Sequence, residues 1–208
     1  MNNLAPDAEP TGPAGSIHLS NLLTYAALLS GCAAAAFAMM HQRSAAGAFI
    51  AVAVIADTFD GRFARLFDRT RFQSAYGVQL DSLADAVTSG FVPVIVLASD
   101  STPVTWGAAL AWWGCAFLYS LAAITRLGYY NLTHGDGPWF VGLPAPFCAL
   151  LISTSLIWSP RPLAAAVVLV GCAVAMVAPI RVPRPRSFGL AALVGWAMLV
   201  VVLHLRAW

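Results

Sequence analysis

Residues 57–85, from Asp57 to Asp85, read DTFDGRFARLFDRTRFQSAYGVQLDSLAD. This stretch holds five of the chain's nine acidic residues: Asp57, Asp60, Asp68, Asp81 and Asp85. It also holds four of the eleven arginines: Arg62, Arg65, Arg69 and Arg71. The segments on either side are almost wholly apolar. At about 100° per residue, Asp57, Asp60, Gly61 and Ala64 fall on one face of a helix. Gly77, Asp81 and Asp85 recur every fourth position and share a face of a second helix. Two helices joined by a short arginine-rich loop pack as antiparallel neighbours, so their acidic faces converge.

Composition sets the surroundings of that cluster. The chain has 208 residues, 60% of them hydrophobic and 10% charged, with mean hydropathy +0.76. A soluble domain carries about 25% charged residues. The expected fold is therefore an all-α polytopic membrane helix bundle. Spans are predicted near 20–40, 46–65, 78–98, 104–125, 142–158, 162–179 and 188–205, from the need for about 20 apolar residues per crossing. The fifth and sixth are short and meet at Ser159, Pro160 and Arg161, which predicts a tight helical hairpin. Residues 1–15 are rich in Pro and Gly and are expected to be a disordered tail, with residues 16–208 forming the one transmembrane domain.

A formal charge of +2 gives no case for a nucleic-acid partner. Cys32, Cys115, Cys148 and Cys172 are far apart in apolar runs, which predicts buried free thiols. One set of predicted loops holds eight arginines (Arg62, Arg65, Arg69, Arg71, Arg126, Arg181, Arg184, Arg186) and the other holds Arg43, Arg161 and Arg206. By the positive-inside rule the first set, the acidic cluster and the N-terminus face the cytoplasm. Trp106, Trp139, Trp158 and Trp208 fall near span ends, and His18, His41 and His204 at span edges, as interfacial residues do. His134 and Asp136 read as solvated loop residues.

Four carboxylates converging at a membrane edge repel one another, and a low dielectric sharpens the repulsion. Hard oxygen ligands suit Mg²⁺, Mn²⁺ or Ca²⁺, and no Cys or His stands close enough in sequence to suggest zinc. Two divalent ions bridged by shared aspartates would neutralise the cluster and bind a pyrophosphate. Gly61, Ala64 and Gly77 keep the acidic face free of bulk, and Arg65 stands at its end, suited to a phosphate. The bland alternative pairs these aspartates with the neighbouring arginines. Asp68, beside Arg69, reads as a solvated loop residue. Membrane aspartates also fit a small cation transporter, which predicts ionisable groups continuing through the midplane.

The residues Asp57, Asp60, Gly61, Ala64, Arg65, Gly77, Asp81 and Asp85 form the pattern Asp-x-x-Asp-Gly-x-x-Ala-Arg, a spacer, then Gly-x-x-x-Asp-x-x-x-Asp. This resembles the signature of the CDP-alcohol phosphotransferases. Eleven residues separate Arg65 from Gly77, longer than the family's usual spacer, which predicts a lengthened loop. Within the family the chain looks most like the phosphatidylserine synthase branch. The segments carrying that likeness are LDSLADAVTSGFVP from Leu80, RLGYYN at Arg126–Asn131, FVGLPAP at Phe140–Pro146, IRVPRP at Ile180–Pro185 and NLLT at Asn21–Thr24.

The resemblance implies a six-helix catalytic core, here with about one additional C-terminal span, and a homodimer. It implies two divalent ions, Mg²⁺ or Mn²⁺, one held by Asp57, Asp60 and Asp81 and the other by Asp57, Asp81 and Asp85. Asp85 would also be the general base on the acceptor hydroxyl. Gly61, Arg65 and Ser74 would contact the CDP-diacylglycerol headgroup, with Asn21 and Thr24 near the cytidine. L-Serine is the implied acceptor, with glycerol phosphate, inositol phosphate or choline as the sister alternatives. Arg126 and Asn131 are expected to help bind the acceptor's carboxylate; the plainer reading is a membrane anchor for Arg126 and a helix cap for Asn131. The implied setting is the inner membrane of a bacterium, where the lipid tails of the substrate stay in the bilayer.

Overall fold

A computed structural model describes residues 12–133, 139–183 and 187–207. The expectations for residues 1–11 and for His134, Asp136, Arg184, Arg186 and Trp208 lie outside the described residues. Of the expected tail, Pro13–Ser16 forms a single 3₁₀ turn. The helices are α1 (Leu22–Met39), α2 (Arg43–Ala64), α3 (Arg71–Asp85), α4 (Val92–Ser101), α5 (Trp106–Thr133), α6 (Ala145–Leu156), α7 (Pro162–Val177) and α8 (Ser187–Arg206). A π-helical segment, Ala86–Phe91, joins α3 to α4, so Arg71–Ser101 is one continuous helical run of 31 residues. With that run counted once, six α-helical runs precede α8 among the described residues, as expected.

Among the described residues five helical runs are long and apolar enough to cross a membrane: α1 with its leading turn, α2, α3 through α4, α5 and α8. The remaining two of the seven predicted spans are shorter, with 12 residues in α6 and 16 in α7. A 12-residue helix reaches roughly 18 Å, short of the hydrocarbon thickness of about 30 Å. Its interior position explains the apolar sequence: Cys148, Ala149, Leu150, Ile152 and Leu156 of α6 are all fully buried against other helices. The hairpin turn between α6 and α7 is as expected, with Ser159 in the left-handed region at φ 50°.

Two strands, β1 (Trp139–Val141) and β2 (Arg181–Pro183), pair antiparallel with Phe140 opposite Val182. No periodicity in the sequence announces this ribbon. It ties the α5–α6 connection to the α7–α8 connection. Gly142 follows it at φ +75°, its N–H bonded to the Ile180 carbonyl at 2.8 Å. A methyl there would overlap the Met176 carbonyl, so this turn needs glycine twice over.

The start of α3 overturns the expected long loop. Thr70 and Gln73 form a reciprocal capping box: Gln73 N–H donates to Thr70 Oγ1 at 3.1 Å, and Thr70 N–H donates to Gln73 Oε1 at 3.0 Å. This arrangement satisfies two otherwise unpaired helix-end donors. Residues 71–77 are thereby drawn into the first two turns of α3, and the connection from α2 shortens to residues 65–70.

The π segment has an identifiable cause. Pro93 has no N–H to give the carbonyl of Ser89, four residues earlier. That carbonyl accepts instead from the Tyr119 hydroxyl of α5 at 2.7 Å, and Ser120 Oγ donates to Gly90 O at 3.0 Å. At the opposite end of the bundle from Asp57, His204 of α8 is buried rather than interfacial, contrary to the sequence expectation. Its ring fills the notch left by Gly47 of α2, and its Nε2 lies 3.0 Å from the Ser153 carbonyl of α6. Cys148 and Cys172 are buried as expected; Cys32 is exposed on the outer face of α1 and Cys115 is half-buried.

Candidate active site

The last two turns of α2 carry Asp57 and Asp60, and the C-terminal half of α3 carries Asp81 and Asp85. The helices bring these faces together. Carboxylate oxygens of Asp57, Asp60 and Asp81 lie within 4.8 Å of one another. Asp85 is close enough to interact with both Asp57 and Asp81. Among the described residues the one side-chain ion pair joins Arg43 to Asp100 at 3.1 Å, at the other end of the bundle. The pairing of these aspartates with neighbouring arginines is therefore not what the fold builds. An all-oxygen donor set of this density, without a basic partner within ion-pair distance, fits hard divalent cations.

Helix α1 supplies the rim. Thr24 Oγ1 donates to Asp60 Oδ2 at 3.1 Å, which couples the buried start of α1 to the cluster. Asn21 is buried just ahead of α1, and its amide nitrogen has no hydrogen-bond partner in the protein. A methyl on Gly77 would sit 3.1 Å from Asn21 Oδ1 and 3.6 Å from Arg69 Nη1. The bare backbone of Gly77 is thus what lets α1 approach α3. Gly61 faces open space, with Arg65 Nη1 the nearest atom to an added methyl at 3.9 Å. Arg65 is exposed at the C-terminal cap of α2, Ala64 is buried beside it, and Ser74 is half-buried near the start of α3.

A cavity of about 870 Å³ opens on the other side of the carboxylates. Asp57, Asp60, Asp81 and Asp85 line it together with Arg126 and Asn131 of α5. The other predicted contacts (Asn21, Thr24, Gly61, Ala64, Arg65, Ser74 and Gly77) do not line this cavity and cluster toward α1 and the α2–α3 connection.

Arg126 is buried, not in a loop, because α5 runs on to Thr133. Its guanidinium carbon lies 4.6 Å from the Tyr130 ring centroid and 5.9 Å from that of Phe140, and its Nε has no hydrogen-bond partner. Moving Arg126 out of the loop set, and setting aside Arg184 and Arg186, leaves five arginines on the site end against three on the other. Asn131 lies within the last turn of α5 and its Oδ1 accepts from Ser82 Oγ at 3.0 Å, which joins α5 to α3.

Several lining residues were not anticipated. Tyr130 stands one turn from Arg126, a spacing the sequence does display. Its hydroxyl meets both the N–H and the carbonyl of Val141, so the ribbon fixes the ring. Phe140, Val182 and Pro183 reach the cavity through the ribbon, and Leu190, Leu193 and Trp196 reach it from α8. These depend on tertiary contacts between segments distant in sequence.

Residues 17–178 match the family described as CDP-alcohol phosphatidyltransferase. The chain is 39% identical over 138 residues to the CDP-diacylglycerol--serine O-phosphatidyltransferase of Mycobacterium tuberculosis (strain ATCC 25618 / H37Rv), covering 62% of this chain and 45% of the relative. It is 29% identical over 163 residues to the protein of the same name from Bacillus subtilis (strain 168), covering 78% and 88%. It is 29% identical over 174 residues to the archaetidylserine synthase of Methanothermobacter thermautotrophicus, covering 83% and 72%. The match thus spans less than half the length of the mycobacterial relative. With more than half of its residues matched and the four aspartates gathered on one cavity, the chain belongs to the CDP-alcohol phosphatidyltransferase family.

Proposed function

We propose that the chain transfers the phosphatidyl group from CDP-diacylglycerol to the hydroxyl of L-serine, releasing CMP and forming phosphatidylserine. The observation that carries this reading is the convergence of Asp57, Asp60, Asp81 and Asp85 on a cavity that also contains the buried Arg126. Relatives from two bacterial genera and an archaeon carry names that specify a serine-linked lipid product, which supports serine over the sister alcohols.

Asp57, Asp60, Asp81 and Asp85 would hold Mg²⁺ or Mn²⁺, two ions in the full reading. Such cations supply charge neutralisation and polarisation of the pyrophosphate. The remaining steps fall to the chain's own residues. Gly61 leaves room for the donor's phosphates near Arg65, and Asn21 offers an unpartnered buried amide toward the cytidine. Ser74 and the bare face of Ala64 and Gly77 complete the headgroup contacts. Asp85 removes the proton from the serine hydroxyl as its oxygen forms a bond to the lipid-bearing phosphorus. The bond from that phosphorus to the CMP oxygen breaks, and CMP leaves with the bridging oxygen. Arg126, stacked on Tyr130 and Phe140, orients the serine carboxylate, assisted by Asn131.

The proposal includes one catalytic unit over residues 16–208, a homodimer, and a bacterial inner-membrane location with the cavity facing the cytoplasm. The test is incubation of the purified protein with CDP-diacylglycerol, Mn²⁺ and either serine or a panel of other alcohols, with the lipid product identified by mass. Phosphatidylserine and stoichiometric CMP are expected. Turnover with another alcohol and none with serine would refute the acceptor.

A further inference from the structure

Asp85 is the last residue of α3 and directly precedes the π segment Ala86–Phe91. Its carboxylate meets Asp57 of α2 across the helix pair. Where it points depends on the turn that follows it. At the end of that turn Val92 N–H reaches back five residues to the Val87 carbonyl, one residue further than in an α-helix. An extra residue rotates one side of the turn by about 100° relative to the other. Beyond it, α4 is fixed in the core by the buried Val94, Val96 and Leu97. If the turn tightened to α geometry against a fixed α4, the end of α3 would swing and carry Asp85 away from Asp57. Wide turns of this kind are rare and need support from outside their own helix. On the α5 side the Tyr119 hydroxyl donates to the Ser89 carbonyl at 2.7 Å, and Ser120 Oγ donates to the Gly90 carbonyl at 3.0 Å, both donors being buried. Two adjacent residues of one helix thus grip two adjacent carbonyls. On the α1 side Gly31 admits Thr88: a methyl on Gly31 would lie 2.9 Å from Thr88 Cγ2. Tyr119 and Arg126 are seven residues apart on the buried face of α5, so the helix that grips the turn also carries the arginine of the cavity.

We infer that Tyr119 and Ser120 are positioning residues for Asp85: by holding the Ser89 and Gly90 carbonyls they keep the π turn open, and the open turn aims the Asp85 carboxylate at Asp57. The inference rests on the reading above, in which these carboxylates hold divalent cations and Asp85 takes the acceptor proton. Neither Tyr119 nor Ser120 lines the cavity, so their effect on it passes through the turn. Helix α5 thereby fixes, in one rigid piece, the arginine that orients the acceptor and the carboxylate that deprotonates it.

The primary test does not need turnover. Mn²⁺ binding to the full-length protein in nanodiscs, without nucleotide, is followed by the EPR signal of free Mn²⁺, with the unfolding midpoint of each variant measured alongside. Tyr119→Phe keeps the buried ring and removes the donor. Its Kd for Mn²⁺ is expected to rise roughly 5- to 30-fold, the scale of one buried acceptor losing its partner. The kcat for CMP release should fall with it, while the KM for CDP-diacylglycerol moves less than about twofold. In an Asp85→Asn background the same change should add less than about twofold to the Kd, because the group it positions is gone. Pro93→Ala separates positioning from mere satisfaction of a buried carbonyl. Added to Tyr119→Phe, it offers Ser89 a helical N–H donor, so the unfolding midpoint should recover while the Mn²⁺ Kd stays raised. Recovery of both, full additivity with Asp85→Asn, or an unchanged Kd in Tyr119→Phe would overturn the inference. Should Tyr119→Phe not fold, Ser120→Ala makes the same comparison with Asp85→Asn through the Gly90 carbonyl, with an expected rise of about 2- to 5-fold. A wild type that binds no Mn²⁺ would refute the cation reading and this inference with it. A protein that shows the Mn²⁺ shift, and its loss in Asp85→Asn, but releases no CMP with any alcohol would leave the inference standing while the catalytic reading fails.

Discussion

Replacing Thr24 by Val tests whether α1 helps to set the acidic cluster. Thr24 is buried, and its hydroxyl donates to Asp60 Oδ2 at 3.1 Å from a helix that supplies no carboxylate of its own. Valine keeps the branched shape and removes the donor. A hydrogen bond to a charged group contributes about 1.5–3 kcal/mol. If the whole of that is lost from the cation-competent arrangement, the Mn²⁺ concentration for half-maximal CMP release rises roughly 10- to 150-fold. The maximal rate at saturating Mn²⁺ falls less, because excess cation restores the arrangement by mass action. Thr24→Ser retains the hydroxyl and should stay within about threefold of wild type. The assay is CMP release in detergent micelles across a Mn²⁺ titration, with the unfolding midpoint of each variant measured alongside. A Thr24→Val protein whose Mn²⁺ midpoint and rate both match wild type would refute the idea that this bond orients Asp60.

Asp85→Asn should lower CMP release by about 10²–10⁴-fold with an unchanged unfolding midpoint, as loss of a general base does; retained turnover would remove Asp85 from that role. Arg126→Lys keeps the charge and loses the planar stack on Tyr130 and Phe140, so the KM for serine should rise roughly 5- to 30-fold while that for CDP-diacylglycerol moves less than about twofold. Equal rises in both would instead mark a structural role. Gly47→Ala places a methyl into the His204 ring and should cost about 1–3 kcal/mol by overpacking. Combined with His204→Ala its cost should be less than the sum of the two, which thermal unfolding in detergent can read; strict additivity would deny the contact.

The two halves of the acidic motif were legible because each lies within one helix, where spacing alone decides which side chains share a face. Asp57 and Asp60 are three apart, and Asp81 and Asp85 four apart, so their convergence needed only that α2 and α3 be antiparallel neighbours. The membrane class followed from composition, and the tight hairpin between the fifth and sixth predicted spans, α6 and α7, from Ser159, Pro160 and Arg161. Even the break after Asp85 has a local cause in Pro93, though its outcome as a π segment rests on Tyr119 and Ser120 of another helix taking the freed carbonyls.

What the tertiary structure decided lies in contacts between residues far apart in the chain. Arg126 could be counted as a loop arginine until α5 proved to continue to Thr133, which buries it beside Tyr130. Phe140 reaches it only because Trp139–Val141 pairs with Arg181–Pro183, some forty residues later in sequence. His204 could be taken for an interfacial residue until Gly47 and Ser153 enclosed it. Periodicity reports the environment of a helix face but not the identity of its partner. The chain alone therefore determined a set of carboxylates suited to divalent cations, and packing determined the cavity they face and the helix that walls it.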